Sequence, residues 1–291
     1  MKIVLGPSQP FNLDSTLCCG QAFRWEKVGE WWYGVIKDTP LRVRQVDNVL
    51  EFEGANSSLV KTYFGLGDNL PLILSKITKD GHIGEAVKAL KGLRILRQDP
   101  WECLISYMCA THINIPAIKR MLHNLSRRFG EKTMLDSHAM YVFPTAEKLA
   151  KVSLQQLARC GLGYRAQYVH EAAKKVASRE LEIEELKKED YESARKRLLT
   201  LKGVGLKVAD CVALFSLEKL EAFPVDVWMK RVIIRHYADH FEKEFIEKIL
   251  LKKSLTRADY EKLSLFGRRY FGVYAGYAQE YLFHFERITT R

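Results

Sequence analysis

Leu201-Lys202-Gly203-Val204-Gly205-Leu206-Lys207 decides the reading of this chain, together with Asp226 in Phe223-Pro224-Val225-Asp226-Val227-Trp228. The stretch before it, Tyr191 to Leu201, has apolar residues at helical spacing, and Gly203 and Gly205 break that pattern. Glycines let a backbone approach another surface and leave N–H groups free to point at an anion such as a phosphate. A second helix is predicted from near Leu206, with Val208, Ala209, Val212, Ala213 and Leu214 as its apolar face. Lys207 then lies in the first turn, where the positive end of the helix dipole disfavours a cation. A partly desolvated amine there can attack carbon. Pro224 and the run Val227, Met229, Val232, Ile233 set Asp226 at the start of another helix. Taken singly, a lysine is usually a solvated surface residue and an Asp before a helix usually an N-cap. Joined at this spacing, they read as a DNA-gripping hairpin, an amine nucleophile and a carboxylate partner.

The 291 residues, 47% of them hydrophobic, suffice for a sizeable core in one or two domains. Lys and Arg number 46 against 35 Asp and Glu, a net charge of +11 that favours a polyanionic partner. No stretch approaches the length of a membrane span, and the N-terminus lacks a charged-then-apolar signal, so an intracellular protein with no membrane partner is expected. Its compartment would be cytoplasm or nucleoid in a prokaryote and nucleus in a eukaryote. Cys18, Cys19, Cys103, Cys109, Cys160 and Cys211 contain no C-x-x-C pair, which argues against a disulfide framework or a zinc site.

Residues 1 to about 75 read as strand-rich, with runs at Ala22–Val28, Trp31–Lys37, Leu41–Val46 and Val49–Glu53. Gly29-Glu30, Asp38-Thr39-Pro40 and Asp47-Asn48 punctuate them as turns, which predicts an antiparallel sheet. From about Asp80 the period becomes helical. Asp99-Pro100 is an N-cap and first helical residue, Ser153 to Gln156 a capping box, and Tyr260 to Phe285 reads as two short helices. The expected class is α+β: an N-terminal antiparallel sheet domain with helices over 1–95, and helical domains over 96–291. The latter hold the hairpin at about 191–217 and the aspartate loop at about 218–228.

The hairpin, its glycine-rich loop and the aspartate resemble the helix-hairpin-helix DNA glycosylase superfamily. Lys207 in Gly205-Leu206-Lys207-Val208-Ala209-Asp210-Cys211 is similar to the bifunctional glycosylase/lyase branch. Three further stretches resemble the 8-oxoguanine DNA glycosylases: Gly20-Gln21-Ala22-Phe23-Arg24-Trp25, Leu96-Arg97-Gln98-Asp99-Pro100-Trp101-Glu102-Cys103, and Gly161-Leu162-Gly163-Tyr164-Arg165-Ala166-Gln167-Tyr168. The likeness runs in one order from about Asn12 to Phe285.

That resemblance implies a monomer acting on double-stranded DNA that contains 8-oxoguanine, without metal or organic cofactor. Lys207 and Asp226 would be catalytic. Gly20, Phe23, Cys211, Gln279 and Phe283 would form the lesion-base pocket. The Gly20 carbonyl would accept from the N7–H that oxidised guanine has and guanine lacks, Cys211 and Phe283 would sandwich the base, and Gln279 would meet its Watson–Crick edge. Gly203, Val204, Gly205, His112, Asn114, Tyr164, Arg165 and Trp228 would contact DNA, with His112 at the gap-filling position. Departures are visible. Ala117 replaces an arginine that reads the orphaned cytosine in relatives, and Trp228 stands where they carry a histidine. The four-cysteine iron–sulfur cluster of some superfamily members has no counterpart, since no cysteine follows Cys211.

Two other readings stay open on the sequence. A related glycosylase/lyase for another oxidised base would keep Lys207 and Asp226 but not need Gly20, Gln279 and Phe283. A non-catalytic helix-hairpin-helix DNA-binding module would need only the glycines.

Overall fold

The computed structural model describes residues 1–111 and 113–290, so the His112 expectation lies outside the described residues. Five antiparallel strands form the first layer: β1 (Lys2–Val4), β2 (Glu26–Val28), β3 (Trp31–Ile36), β4 (Thr39–Val46) and β5 (Val49–Glu53), in the order β1-β5-β4-β3-β2. Tight turns with left-handed residues, Lys37 (φ 57°) and Asp47 (φ 50°), join β3 to β4 and β4 to β5. Inward side chains alternate along the strands: Leu41, Val43, Leu50 and Phe52 pack with Trp25, Trp32 and Phe64 into one core.

Several elements differ from the sequence expectation, each for a physical reason. Thr39 and Pro40 belong to β4 rather than to a turn. Pro40 pairs with Val35 beyond the end of β5, where its missing N–H costs no ladder bond. The expected strand 22–28 shortens to Glu26–Val28. Gln21 pulls the preceding segment out of the sheet: its amide donates to the Thr16 and Arg94 carbonyls, and its oxygen accepts from Leu96 N–H. Helix begins well before Asp80. After α1 (Leu13–Cys18) come α2 (Ser57–Tyr63), α3 (Leu70–Ile77) and α4 (Gly81–Ala89), capped by Asn56, Asn69 and Asp80.

The expected Asp99 cap and Pro100 start open α5 (Pro100–Cys109), and Asn114 caps α6 (Ile115–Phe129). A hairpin unexpected from sequence follows, β6 (Lys132–Leu135) and β7 (His138–Tyr141), turning on Asp136 and Ser137 at positive φ. Its four-residue, half-polar strands carry too little periodicity to be read. Next come α7 (Ala146–Ala150), α8 (Leu154–Leu157) with the Ser153–Gln156 capping box, α9 (Arg165–Ala177), α10 (Tyr191–Leu198), α11 (Leu206–Ser216) and α12 (Val227–His236). The chain continues with α13 (Lys243–Leu251), α14 (Arg257–Phe271) and α15 (Ala275–Thr289). The last two span fifteen residues each, so the C-terminal stretch is two long helices, not two short ones.

A second and larger core fills the helical part. Leu104 of α5, Val212 of α11, and Tyr277 and Tyr281 of α15 are fully buried in it, and Leu70, Ile73 and Ile77 of α3 join them. Helices α3 and α4 therefore pack on the helical core although they precede residue 95. No described helix is long and apolar enough to cross a membrane.

Candidate active site

The hairpin forms as its glycines require. Helix α10 ends at Leu198, and the turn closes through Gly203 at φ 83°, with Val204 N–H donating to the Leu201 carbonyl. A Cβ on Gly203 would stand 2.6 Å from the Tyr168 ring, so both its left-handed backbone and its close packing demand glycine. Val204 is buried and anchors the loop, whereas the position of a Cβ on Gly205 is open space, leaving that backbone accessible. Helix α11 starts at Leu206, so Lys207 is in its first turn.

A buried carboxylate locks this hairpin. Asp210 accepts from Arg195 Nε at 2.7 Å and from the Tyr191 hydroxyl at 2.8 Å, and the Tyr260 hydroxyl also donates to it. The cluster ties α10, α11 and α14 together and fixes the roll of the helix that presents Lys207 and Cys211.

Lys207 opens on a cavity of about 380 Å³. Its Nζ lies 4.8 Å from the Tyr107 ring centroid, over the negative face of the ring. Asp226 reaches the same cavity as the N-cap of α12, its Oδ1 accepting from Trp228 and Met229 N–H at 2.9 Å each. Burial pushes its carboxyl above the usual range, while those two amides and the Lys207 charge pull the other way.

The expected base-pocket residues line this cavity together: Gly20, Phe23, Cys211, Gln279 and Phe283. Phe23 and Phe283 come from segments more than two hundred residues apart. Cys211 follows Lys207 by one helical turn, and burial pushes its thiol up to about 12, so it serves as a neutral, polarizable wall. Gln279 is buried, and its Oε1 lacks a hydrogen-bond partner in the described structure. Gly20 has φ 106°, and Arg287 donates to the neighbouring Cys19 carbonyl at 2.6 Å while lying 5.0 Å over the Phe283 ring.

The expected DNA-contact residues divide. Asn114 and Trp228 sit on the cavity rim, and the Asn114 side chain is occupied in capping α6 through Ala117 N–H. Tyr164 is 60% exposed. Arg165 is buried, donating to the Thr111 carbonyl and to Thr111 Oγ1, so it ties the start of α9 to Thr111 just beyond α5. A groove of about 1050 Å³ runs from Val204 and Gly205 past Lys207 and Trp228 to Thr256 and Arg257 at the start of α14, with Lys196 on its flank. Helix N-termini and cations along one trough suit a phosphate backbone.

Sequence reasoning missed Tyr107, Phe215, Pro224, Glu280 and Arg287, all of which line the cavity. Glu280 and Arg287 were within reach, since 280, 283 and 287 follow one helix face. Tyr107 and Phe215, which stack at 5.6 Å, carry no local signal.

Residues 3–104 match the family of the 8-oxoguanine DNA glycosylase N-terminal domain, and residues 105–257 match that of the HhH-GPD superfamily base excision DNA repair proteins. This chain belongs to the 8-oxoguanine DNA glycosylase branch of the HhH-GPD superfamily. An N-glycosylase/DNA lyase of Saccharomyces cerevisiae is 33% identical, covering 97% of this chain and 85% of the yeast protein. An N-glycosylase/DNA lyase of Arabidopsis thaliana is 31% identical, covering 94% and 76%. The 8-oxoguanine glycosylase/lyase of Clostridium acetobutylicum, solved with double-stranded DNA containing cytosine opposite 8-oxoguanine, superimposes with TM-score 0.86 at 29% identity, covering 97% and 93%. As an HhH-GPD protein the chain has the expected architecture, a sheet-bearing N-terminal part beside a helix-hairpin-helix bundle.

Proposed function

We propose that this protein is an 8-oxoguanine DNA glycosylase with abasic-site lyase activity, which extrudes the oxidised nucleotide from duplex DNA into the cavity between Gly20, Lys207 and Phe283. The observation that carries this reading is the shared cavity: an amine, a carboxylate and a base-sized slot open on one another, on a chain of the 8-oxoguanine glycosylase branch. Chemistry on a base inside a helix requires flipping it out.

In the mechanism, the Lys207 amine attacks C1′ of the flipped nucleotide and the base departs with its bonding electrons. The Asp226 carboxylate stabilises positive charge developing on the sugar. The C1′–O4′ bond of the aminal so formed then opens, the ring oxygen taking a proton as the lysine nitrogen becomes an iminium (Schiff base), which acidifies the C2′ hydrogens, and loss of one expels the 3′ phosphate by β-elimination. Discrimination falls to the Gly20 carbonyl, which accepts from N7–H of the oxidised base and is repelled by the N7 lone pair of guanine. Cys211 and Phe283 hold the base faces, and Gln279 supplies the unpartnered acceptor for the Watson–Crick edge. One chain supplies every group used, so we infer a monomeric enzyme.

The test is a panel of duplexes, each with one lesion, incubated with borohydride. An adduct mapping to Lys207 should form with 8-oxoguanine and not with guanine, and Lys207→Gln should lose it while still binding DNA. An adduct that persists in the variant at another lysine overturns the assignment. Preference for an oxidised pyrimidine would favour the related-glycosylase reading.

A further inference from the structure

Glu280 is a buried acid that the scheme above does not use. It is 2% exposed, lines the same cavity as Lys207 and Asp226, and its Oε1 is buried with no hydrogen-bond partner in the described structure. A carboxyl group kept in such a site at the cost of desolvation calls for a function.

The nucleophile poses a matching problem. An ammonium cannot attack C1′, so Lys207 must lose a proton inside a cavity that a flipped nucleotide closes to water. We propose that Glu280 is the proton acceptor that frees the Lys207 amine, an inference resting on the glycosylase/lyase reading above. One proton passes from the ammonium to the carboxylate, directly or across one water, leaving a neutral amine and a neutral carboxylic acid. Net charge is unchanged, and the transfer is favoured when the incoming nucleotide displaces water, because a dry cavity disfavours two separated charges more than a neutral pair.

The groups around Glu280 support this assignment over the alternatives. From the end of α1, the Cys19 thiol, which donates to the Thr16 carbonyl, lies close enough to favour the charged form of Glu280, but burial holds that thiol protonated. From α5, Tyr107 is likewise held neutral by burial. From α11 come Lys207 and Cys211, and from the start of α12 comes Asp226, whose Oδ1 is occupied by two backbone amides that favour its charge. Arg287, on the same face of α15, and Lys207 favour the ionised form of Glu280, while burial and Asp226 oppose it. The balance sets this carboxyl at about 7, burial being the main cause, where it can accept and return a proton at neutral pH.

Single-turnover excision of 8-oxoguanine from duplex DNA, followed against pH for wild type, Glu280→Gln and Glu280→Asp, tests the proposal. Affinity for lesion duplex is measured alongside. The wild-type rate should rise to a plateau with a midpoint near about 7. Glu280→Gln should show no plateau, climbing about tenfold per pH unit as the lysine yields its proton to solvent alone, and should be at least about tenfold slower at neutral pH. Glu280→Asp should keep a plateau at reduced height. Glu280→Gln as fast as wild type or faster near neutrality overturns the proposal, because Glu280 would then only hold the lysine protonated. Slowing by one factor at every pH also overturns it, as a purely structural effect. Should Glu280→Gln fail to fold, Glu280→Asp decides: its plateau supports the role and loss of the plateau overturns it. Wild type without excision overturns the glycosylase reading itself, and this inference with it.

Discussion

Asp226 carries two duties in one carboxylate, capping α12 through the Trp228 and Met229 amides while facing the cavity. Asp226→Asn separates them, since an amide oxygen still caps a helix but brings no charge. Single-turnover excision should fall by about a hundredfold or more, with a melting temperature within a few degrees of wild type. Excision within a few-fold of wild type would leave the carboxylate a structural role only. Gly20 offers a contrasting case. A Cβ there would sit at φ 106° and 3.0 Å from Arg287 Nη1, costing roughly 1–3 kcal/mol of strain and shifting the carbonyl proposed to read the base. Gly20→Ala should therefore lose 8-oxoguanine excision far more than strand cleavage at a ready-made abasic site, which needs no base recognition. Equal losses would show that Gly20 is not a reader. Glu280 also makes a stability prediction. Its folded-state value of about 7 lies above the ordinary 4.5, so stability is present below about 4.5 and lost as pH rises through about 7. Relative to wild type, Glu280→Gln should gain up to about 3 kcal/mol between those limits, read by urea unfolding at several pH values. At this scale the sequence singled out Lys207, Asp226 and Gly20, which the fold brings to one cavity, because each lies in a run whose neighbours constrain it. Tyr107 and Phe215 were not, because only the packing of α5 against α11 turns them toward the cavity.

At the scale of elements, helix ends were the most readable part of the chain. Asp99-Pro100 and the Ser153–Gln156 box act locally, between residues three apart, so the sequence carries all of their information. The segment 22–25 was misread because its conformation is set by Gln21 reaching Thr16, Arg94 and Leu96, contacts invisible to periodicity. The hairpin was legible from its glycines, but its lock was not. Asp210→Ala should strand Arg195 and two tyrosine hydroxyls in the core and cost about 3–5 kcal/mol, seen as a lower urea midpoint. A midpoint within error of wild type would show that Arg195 pairs adequately with Glu261 alone.

At the scale of the whole molecule, charge and shape agree. The net charge of +11 and the trough from Gly205 to Arg257 imply a binding constant dominated by phosphate neutralisation. Log affinity for lesion duplex should fall linearly with log salt, at about −0.9 per neutralised phosphate, and a flat profile would contradict this. The two-part architecture was legible as a change of period. That α3 and α4 pack on the helical core was not, since an amphipathic helix does not announce its partner.

Gln21 finally links the two cores in a way that bears on safety. The residue beside Gly20 is held by the Thr16 and Arg94 carbonyls and the Leu96 amide, while its own carbonyl accepts from Gln98 of the segment before α5 and from the Tyr107 hydroxyl of α5. The wall proposed to tell damaged from sound guanine therefore exists only once both parts of the chain have folded and docked. Tyr107, which also supports the Lys207 amine, is one of the fasteners. A half-assembled or damaged copy would lose its hold on the proposed nucleophile along with the proposed reader of the substrate. On the function proposed above, the molecule would fail silent, breakage yielding an inert protein rather than an indiscriminate cutter of intact DNA.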